Sequence, residues 1–223
     1  FLKDINPYIY FSLSMGMTVS LYIFLASFLP ADIRGSHTDG GIILGLTTKK
    51  DYAAVLINLI KIQTQLYLGK SASEIDKKLY FNVPLLSDDH ISMMQLYNLR
   101  HLYYLDNKDY ESAAKTNQRL KYFYDIMTFE EAAKLSLSIV FDNIIEKDFA
   151  KAKENYILSE GAAEDKTALR IKAYYNYYVL NDKQEAINLL ERAKELKSVL
   201  AGIDITENNL SDELYQKIKN GAE

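Results

Sequence analysis

Residues 8–29 carry no charged side chain and are predominantly apolar. At ~1.5 Å per residue, about 20 such residues in a helix cross a ~30 Å hydrocarbon layer, so this run predicts a transmembrane helix. Ser12, Ser14, Thr18, Ser20 and Ser27 lie within it. Their hydroxyls can bond back to the helix or across to a neighbour, which predicts one side that faces a partner. A signal peptide fits less well, because the run is longer than an h-region and lacks a basic n-region and a small-x-small cleavage site. Arg34, Lys49 and Lys50 follow the run while Lys3 alone precedes it as a cation. That asymmetry favours a membrane protein whose C-terminal side is cytoplasmic.

Pro30 ends the run, a polar loop follows over 31–36, and His37-Thr38-Asp39-Gly40-Gly41 leads into a second apolar stretch, 42–46. A carboxylate this close to apolar sequence is costly unless it is paired, wetted or bound to a metal. Asp39 has two compatible uses, as the N-cap of a helix over 40–46 or as a metal ligand. Gly40 and Gly41 allow close backbone approach to a neighbouring helix, or are turn residues. His37 stands two residues from Asp39, so on a loop both could face one ion, although a histidine there is more often unremarkable. His90 and His101 read as ordinary helix residues.

The order apolar helix, Ser27-Phe28-Leu29-Pro30, loop, Asp39-Gly40-Gly41, apolar helix resembles the second signature of the site-2 protease family of intramembrane zinc metalloproteases. In that family the pattern is Asn-x-x-Pro and then Asp-Gly. Ser27 stands at the Asn position here, and the loop between Pro30 and Asp39 is longer than the commonest form. The resemblance implies that Asp39 is the third zinc ligand, with Ser27, Pro30, Gly40 and Gly41 as the supporting motif. It also implies two histidine ligands and a general-base Glu from an H-E-x-x-H helix. No H-E-x-x-H occurs in the sequence, whose histidines are His37, His90 and His101. The chain is therefore expected to be the C-terminal part of a longer polypeptide with the catalytic half upstream, inactive on its own. The cofactor this implies is zinc, and the implied substrate is a membrane or membrane-associated protein or peptide.

From Thr48 onward the pattern becomes amphipathic and helical. Residues 50–68 place Tyr52, Val55, Leu56, Leu59, Ile60 and Leu66 at helical spacing before Gly69. Ser71-Ala72-Ser73-Glu74 is a capping box expected to open a helix to about Tyr80. Pro84 and Ser87-Asp88-Asp89 break the chain before a helix over about 88–105. Thr128-Phe129-Glu130-Glu131 is a second capping box, and Asp165 reads as a further cap. Ala113, Ala152 and Ala186 each follow a short polar turn, at spacings of 39 and 34 residues. A helix–turn–helix unit with a small residue at the crossing and a period near 34 resembles a degenerate tetratricopeptide repeat, without the family's Trp, Gly and Pro. In the last unit Ala186, Leu189, Leu190, Ala193, Leu196 and Leu200 form an apolar stripe, and 206–219 reads as a capping helix with a polar outer face. The tyrosines at 103–104 and 174–178 are expected in the core more than on a peptide-binding surface.

The expected fold is all-α, with a transmembrane helix and Asp-Gly segment over 1–47 and a helical-repeat domain over 48–223. Net charge is −4 with no basic excess, which argues against a nucleic-acid partner. Cysteine is absent, so neither disulfides nor thiolate metal sites are available. The expected partners are the membrane, a protein or peptide substrate and the upstream half of the polypeptide. The alternative is a membrane-anchored, peptide-binding helical scaffold without catalysis.

Overall fold

A computed structural model describes residues 6–29, 32–33, 36–86 and 90–220, with backbone alone at 32–33 and 36–37. Among the described residues the regular structure is helical apart from one antiparallel pairing of two-residue strands, and the chain divides into two compact units, Phe1–Ala53 and Ala54–Glu223. In the first unit α1 spans Pro7–Phe28. Pro7 suits the first helical position, where its missing N–H has no partner to lose, and the Asn6 side chain accepts from Tyr8 N–H at 2.9 Å. Thr18 donates back to the Ser14 carbonyl at 2.9 Å, one of the two uses expected of these hydroxyls. No side chain of α1 is buried, and the helix is long and apolar enough to cross a membrane. Strands β1 (Asp32–Ile33) and β2 (Ser36–His37) pair with Asp32 opposite His37. Helix α2 follows over Asp39–Thr48.

In the second unit the chain continues through α3 (Lys50–Tyr67, here from Ala54), α4 (Lys77–Phe81), α5 (Ile91–Asp106), α6 (Tyr110–Leu120) and α7 (Phe129–Ile145). It ends with α8 (Phe149–Leu158), α9 (Lys166–Tyr175), α10 (Lys183–Glu195) and α11 (Ala201–Lys219). Three pairs, α5 with α6, α7 with α8 and α9 with α10, fold back through the same kind of turn. Each turn has one residue in the left-handed region, Lys108 at φ 58°, Lys147 at φ 63° and Asn181 at φ 58°. An aspartate comes next, and its carboxylate caps the second helix: Asp109 accepts from Ser112 N–H, Asp148 from Lys151 N–H and Asp182 from Glu185 N–H. Four residues beyond each aspartate lies an alanine, Ala113, Ala152 or Ala186, with no exposed surface at all. A larger side chain at any of the three would separate the paired helices.

Helix α7 is buried on both sides and joins the two parts of the core. Leu135 and Ile139 pack with Val55, Leu59 and Leu96, whereas Leu137, Val140 and Phe141 pack with Leu169, Tyr174 and Leu190. Tyr174 and Tyr175 are buried, while Tyr103, Tyr104, Tyr177 and Tyr178 are half-buried. Helix α11 packs against α9, α10 and α5. It is tied to α5 by Thr206, whose hydroxyl donates to Asp106 at 3.0 Å, and to α9 by Tyr174, whose hydroxyl donates to the Leu210 carbonyl at 3.0 Å.

The structure corrects several local expectations. On α3 the buried stripe is Val55, Leu59, Ile62 and Leu66, the true 3.6-residue succession, which leaves Ile60 exposed. Glu74 accepts from Ser71 N–H at 2.8 Å as a capping box requires, but the box opens only a 3₁₀ turn, Ala72–Glu74. Ile75 is extended, and Asp76 caps α4 as a separate helix. The expected break at Ser87-Asp88-Asp89 lies outside the described residues, and His90 caps α5 through Nδ1, which accepts from Ser92 N–H. Within the tyrosine run, Asn176–Leu180 widens to a π-helical turn. The stripe of the last unit ends at Ala193, because Leu196 and Leu200 lie in the extended link to α11. Helix α11 starts five residues before the expected Thr206, and it turns Thr206, Glu207 and Ser211 inward.

Gly202 shows how closely α11 docks. A Cβ there would lie 2.0 Å from the Lys70 carbonyl oxygen and 3.0 Å from Leu66 Cα, both backbone atoms with little room to move. Gly202→Ala should therefore destabilise the helical unit by about 1–3 kcal/mol in urea unfolding, although alanine is the better helix former. An unchanged or raised midpoint would contradict this packing.

Candidate functional site

Asp39 occupies the first position of α2, and the N-cap is Thr38, not Asp39 as the sequence suggested. Thr38 Oγ1 accepts from Gly41 N–H at 3.2 Å and donates to the Leu29 carbonyl at 2.6 Å, which ties the start of α2 to the end of α1. Gly40 makes the second tie. A Cβ there would sit 1.8 Å from the Phe28 carbonyl oxygen, so only glycine fits at this approach. With the cap supplied by Thr38, the Asp39 carboxylate is exposed and has no hydrogen-bond or ionic partner among the described residues. It sits in the first turn, where the helix dipole favours negative charge. Ser27 is half-buried near the end of α1. Pro30 and the His37 side chain lie outside the described residues, so the structure brings Asp39, Gly40, Gly41 and Ser27 into one segment without testing His37 as a ligand. Among the described residues no three of His, Asp, Glu or Cys are grouped to hold a metal, so Asp39 can supply one ligand and no more.

A second polar centre lies inside the helical unit, on residues not singled out from the sequence as a site. A cavity of about 430 Å³ is lined by α5, α6, α7, α9 and α11. Asn98 and Asp165 stand exposed along its lining, and His101, Asn117, Ser138, Phe141, Arg170 and Glu207 line it deeper in. Arg170 is 1% exposed and pairs with Glu207 through Nε at 2.5 Å and Nη2 at 3.4 Å. Its guanidinium lies 4.7 Å over the Phe141 ring. Burial lowers the Arg170 pKa, but Glu207 more than restores it, so this charge is kept inside the protein.

Asn117 connects the centre to α5 and α7. Its Nδ2 is 2.7 Å from Asp142 Oδ2, 2.9 Å from Ser138 Oγ and 3.1 Å from His101 Nε2. Two N–H bonds cannot serve three acceptors. The consistent assignment has Asn117 donating to Asp142 and Ser138, and Ser138 donating to His101 Nε2 at 3.4 Å. This requires a His101 Nε2 without a proton. Burial, with the nearby Arg170 charge adding, pushes His101 down to about 3 and keeps the ring neutral. Burial also pushes Asp142 up to about 7, against the Asn117 hydrogen bond. Asn117 Oδ1 and Arg170 Nη1 have no partner among the described residues. A signal was present in the sequence: Asp142 and Asn143 interrupt an apolar run on α7 where polar residues need a reason.

Two opposed proton linkages follow. Between about 3 and the ordinary histidine value of 6.5, the unfolded chain binds a proton at His101 that the folded protein excludes, so this contribution to stability rises with pH. Between the ordinary carboxylate value of 3.8 and about 7, the folded protein holds a proton on Asp142 that the unfolded chain has lost, so that contribution falls as pH rises. The two slopes oppose each other from about pH 4 to 6.5. In thermal melts, His101→Gln should reveal a stability that drops from pH 4 to 7, and Asp142→Asn one that climbs from about pH 3 to 6.5. Parallel profiles in both variants and the native protein would contradict the network. No family model, curated protein or solved structure matches the chain.

Proposed function

We propose that this chain is the C-terminal portion of a membrane-embedded zinc metalloprotease. In this reading α1 spans the membrane, Asp39 is one zinc ligand, and two histidines with a general-base glutamate come from an upstream part of the same polypeptide. The supporting observation is the exposed Asp39 carboxylate at the start of α2, without a partner among the described residues, on a backbone tied to the end of α1 by Thr38 and Gly40. Such ties keep a ligand oriented when the rest of its site comes from another segment. Bound zinc would supply Lewis acidity for peptide-bond hydrolysis. Asp39 contributes one negative oxygen donor to that site. Gly40 keeps the ligand's backbone against the last turn of α1, and α1 holds the segment at membrane depth. The helical unit, read as tetratricopeptide-like and cytoplasmic, recruits the protein substrate.

The second reading is a membrane-anchored scaffold without catalysis. It is favoured by the three helical pairs sharing one turn chemistry and one buried alanine, a construction suited to binding surfaces whether or not a protease is attached. Metal content and proteolysis of the full-length polypeptide decide between the two. Asp39→Ala should lower bound zinc and reduce cleavage by at least about 100-fold, the loss of a direct ligand being no smaller than losses from outer-shell changes. Unchanged zinc and unchanged cleavage would reject the ligand assignment, and an upstream sequence without H-E-x-x-H would leave the scaffold.

A further inference from the structure

Helix α3 buries one face in the core and carries a second apolar face on its other side. Val55, Leu59, Ile62 and Leu66 are buried, whereas Ile57, Ile60, Tyr67 and Leu68 are 44%, 54%, 65% and 74% exposed. Together with Thr64 the exposed set recurs at intervals of three and four residues, so it forms one stripe opposite the buried one. Leu68 extends the last turn, its N–H donating to the Thr64 carbonyl at 3.0 Å. Thr64 donates its own hydroxyl to the Ile60 carbonyl at 2.8 Å, which satisfies that donor within the helix. The stripe runs about 16 Å along α3, too short to cross a bilayer but long enough to lie on one.

Charge identifies the surface that fits this face. Between residues 49 and 73 the chain has four lysines, Lys49, Lys50, Lys61 and Lys70, and one acidic residue, Asp51, although the whole chain carries −4. Lys61 stands exposed one turn beyond Ile57, at the edge of the stripe, and Lys70 bonds to Gln65 Oε1 at 3.1 Å. An apolar stripe bordered by long cationic side chains suits a helix lying in the headgroup layer, its stems along the acyl boundary and its ammonium groups on lipid phosphates. Only residues 29–49 separate α1 from α3. So short a tether keeps α3 close to whatever surface α1 enters, and a weak contact is then enough. We propose that the outer face of α3 rests on the bilayer surface and takes anionic lipid headgroups. Ile57, Ile60, Tyr67 and Leu68 enter the boundary between headgroups and acyl chains, and Lys61 and Lys70 reach the phosphates. This contact rests on the reading of α1 as a membrane helix and is independent of whether Asp39 binds a metal.

The sequence has no tryptophan, so single tryptophans can serve as reporters in the full chain in lipid nanodiscs. Tyr67→Trp reports on α3, Met17→Trp on the middle of α1, and Asn188→Trp, exposed on α10, on water. In discs of phosphatidylcholine with about 30% phosphatidylglycerol, acrylamide should quench the Tyr67→Trp reporter at least about three-fold less than the Asn188→Trp reporter. Lipid brominated near the headgroup should quench the Tyr67→Trp reporter more than lipid brominated at the chain end. In phosphatidylcholine alone the protection from acrylamide should fall by at least about two-fold. Ile60→Glu, a change at an exposed position, should remove the bromine quenching at Tyr67→Trp while helicity and the lipid quenching of Met17→Trp are kept. Acrylamide access at Tyr67→Trp equal to that at Asn188→Trp, with Met17→Trp still quenched by lipid, overturns the α3 contact and leaves α1 in the membrane. Acrylamide access at Met17→Trp rejects the reading of α1 and the contact that rests on it. Protection from acrylamide without bromine quenching means that protein covers the stripe, whether a second copy or another chain, and overturns the contact. Equal protection in the two lipids, or quenching unchanged by Ile60→Glu, overturns it as well.

Discussion

Fourteen large apolar side chains along α1 are exposed to the surroundings of the chain, and none of its residues is buried. Each such side chain, if left in water, forgoes roughly 1.5–3 kcal/mol of burial free energy, so the helix needs a non-aqueous neighbour. Its backbone is continuously helical and Thr18 returns its hydroxyl to Ser14, which leaves lipid as a compatible one. The proposed membrane placement of α1, and with it the proposed role of Asp39, depends on this requirement. If α1 lies in lipid, the segment tied to its end lies at an interface, where a carboxylate is retained only with a partner such as water, a cation or a metal.

The helical unit answers to a different constraint. Several of its helices are short, and α4, α8 and α9 have ten residues or fewer, below the length at which isolated helices persist. They are stabilised by contact with neighbours, and the three aspartate-capped turns fix which neighbours meet. Around Arg170 the same packing carries a buried charge, held by Glu207 from α11 and by the faces of Phe141 and Tyr174. Removing either partner would leave an uncompensated ion in the core, so α11 is bound to the unit by more than its apolar stripe. The neutral His101 and the proton-retaining Asp142 belong to this interior, where burial outweighs the ordinary preference of each group.

Much of the architecture was legible in the sequence. The uncharged run marked α1, the polar turns marked the three helical pairs, and Ala113, Ala152 and Ala186 marked the positions where those pairs close. Caps were harder to place. Asp39 competes with the adjacent Thr38, and local pattern does not say which residue accepts the hydrogen bond when either chemistry suffices. The single helix expected after Ser71 is split because Asp76 offers a second cap, and Ile75 goes extended to use it. The interior centre was hidden for a longer-range reason. His101, Asn117, Ser138, Arg170 and Glu207 come from five helices, and each alone looks like an ordinary polar residue on a helix. The packing of α5, α6 and α7 brings His101, Asn117 and Ser138 together, and α11 adds Glu207 opposite Arg170.

The absence of cysteine from the sequence makes the central physical claim directly measurable. Single cysteines placed at Ser12, Gly16 and Ser20 can be spin-labelled without background, and the relaxation of each label by molecular oxygen and by an aqueous nickel chelate can be compared in bilayers. Oxygen accessibility that peaks near Gly16 with nickel excluded from all three sites is the result expected of a helix that crosses the hydrocarbon layer. Nickel access equal to that of a label at the exposed Asn188 would place α1 in water and remove the ground for holding Asp39 at a membrane.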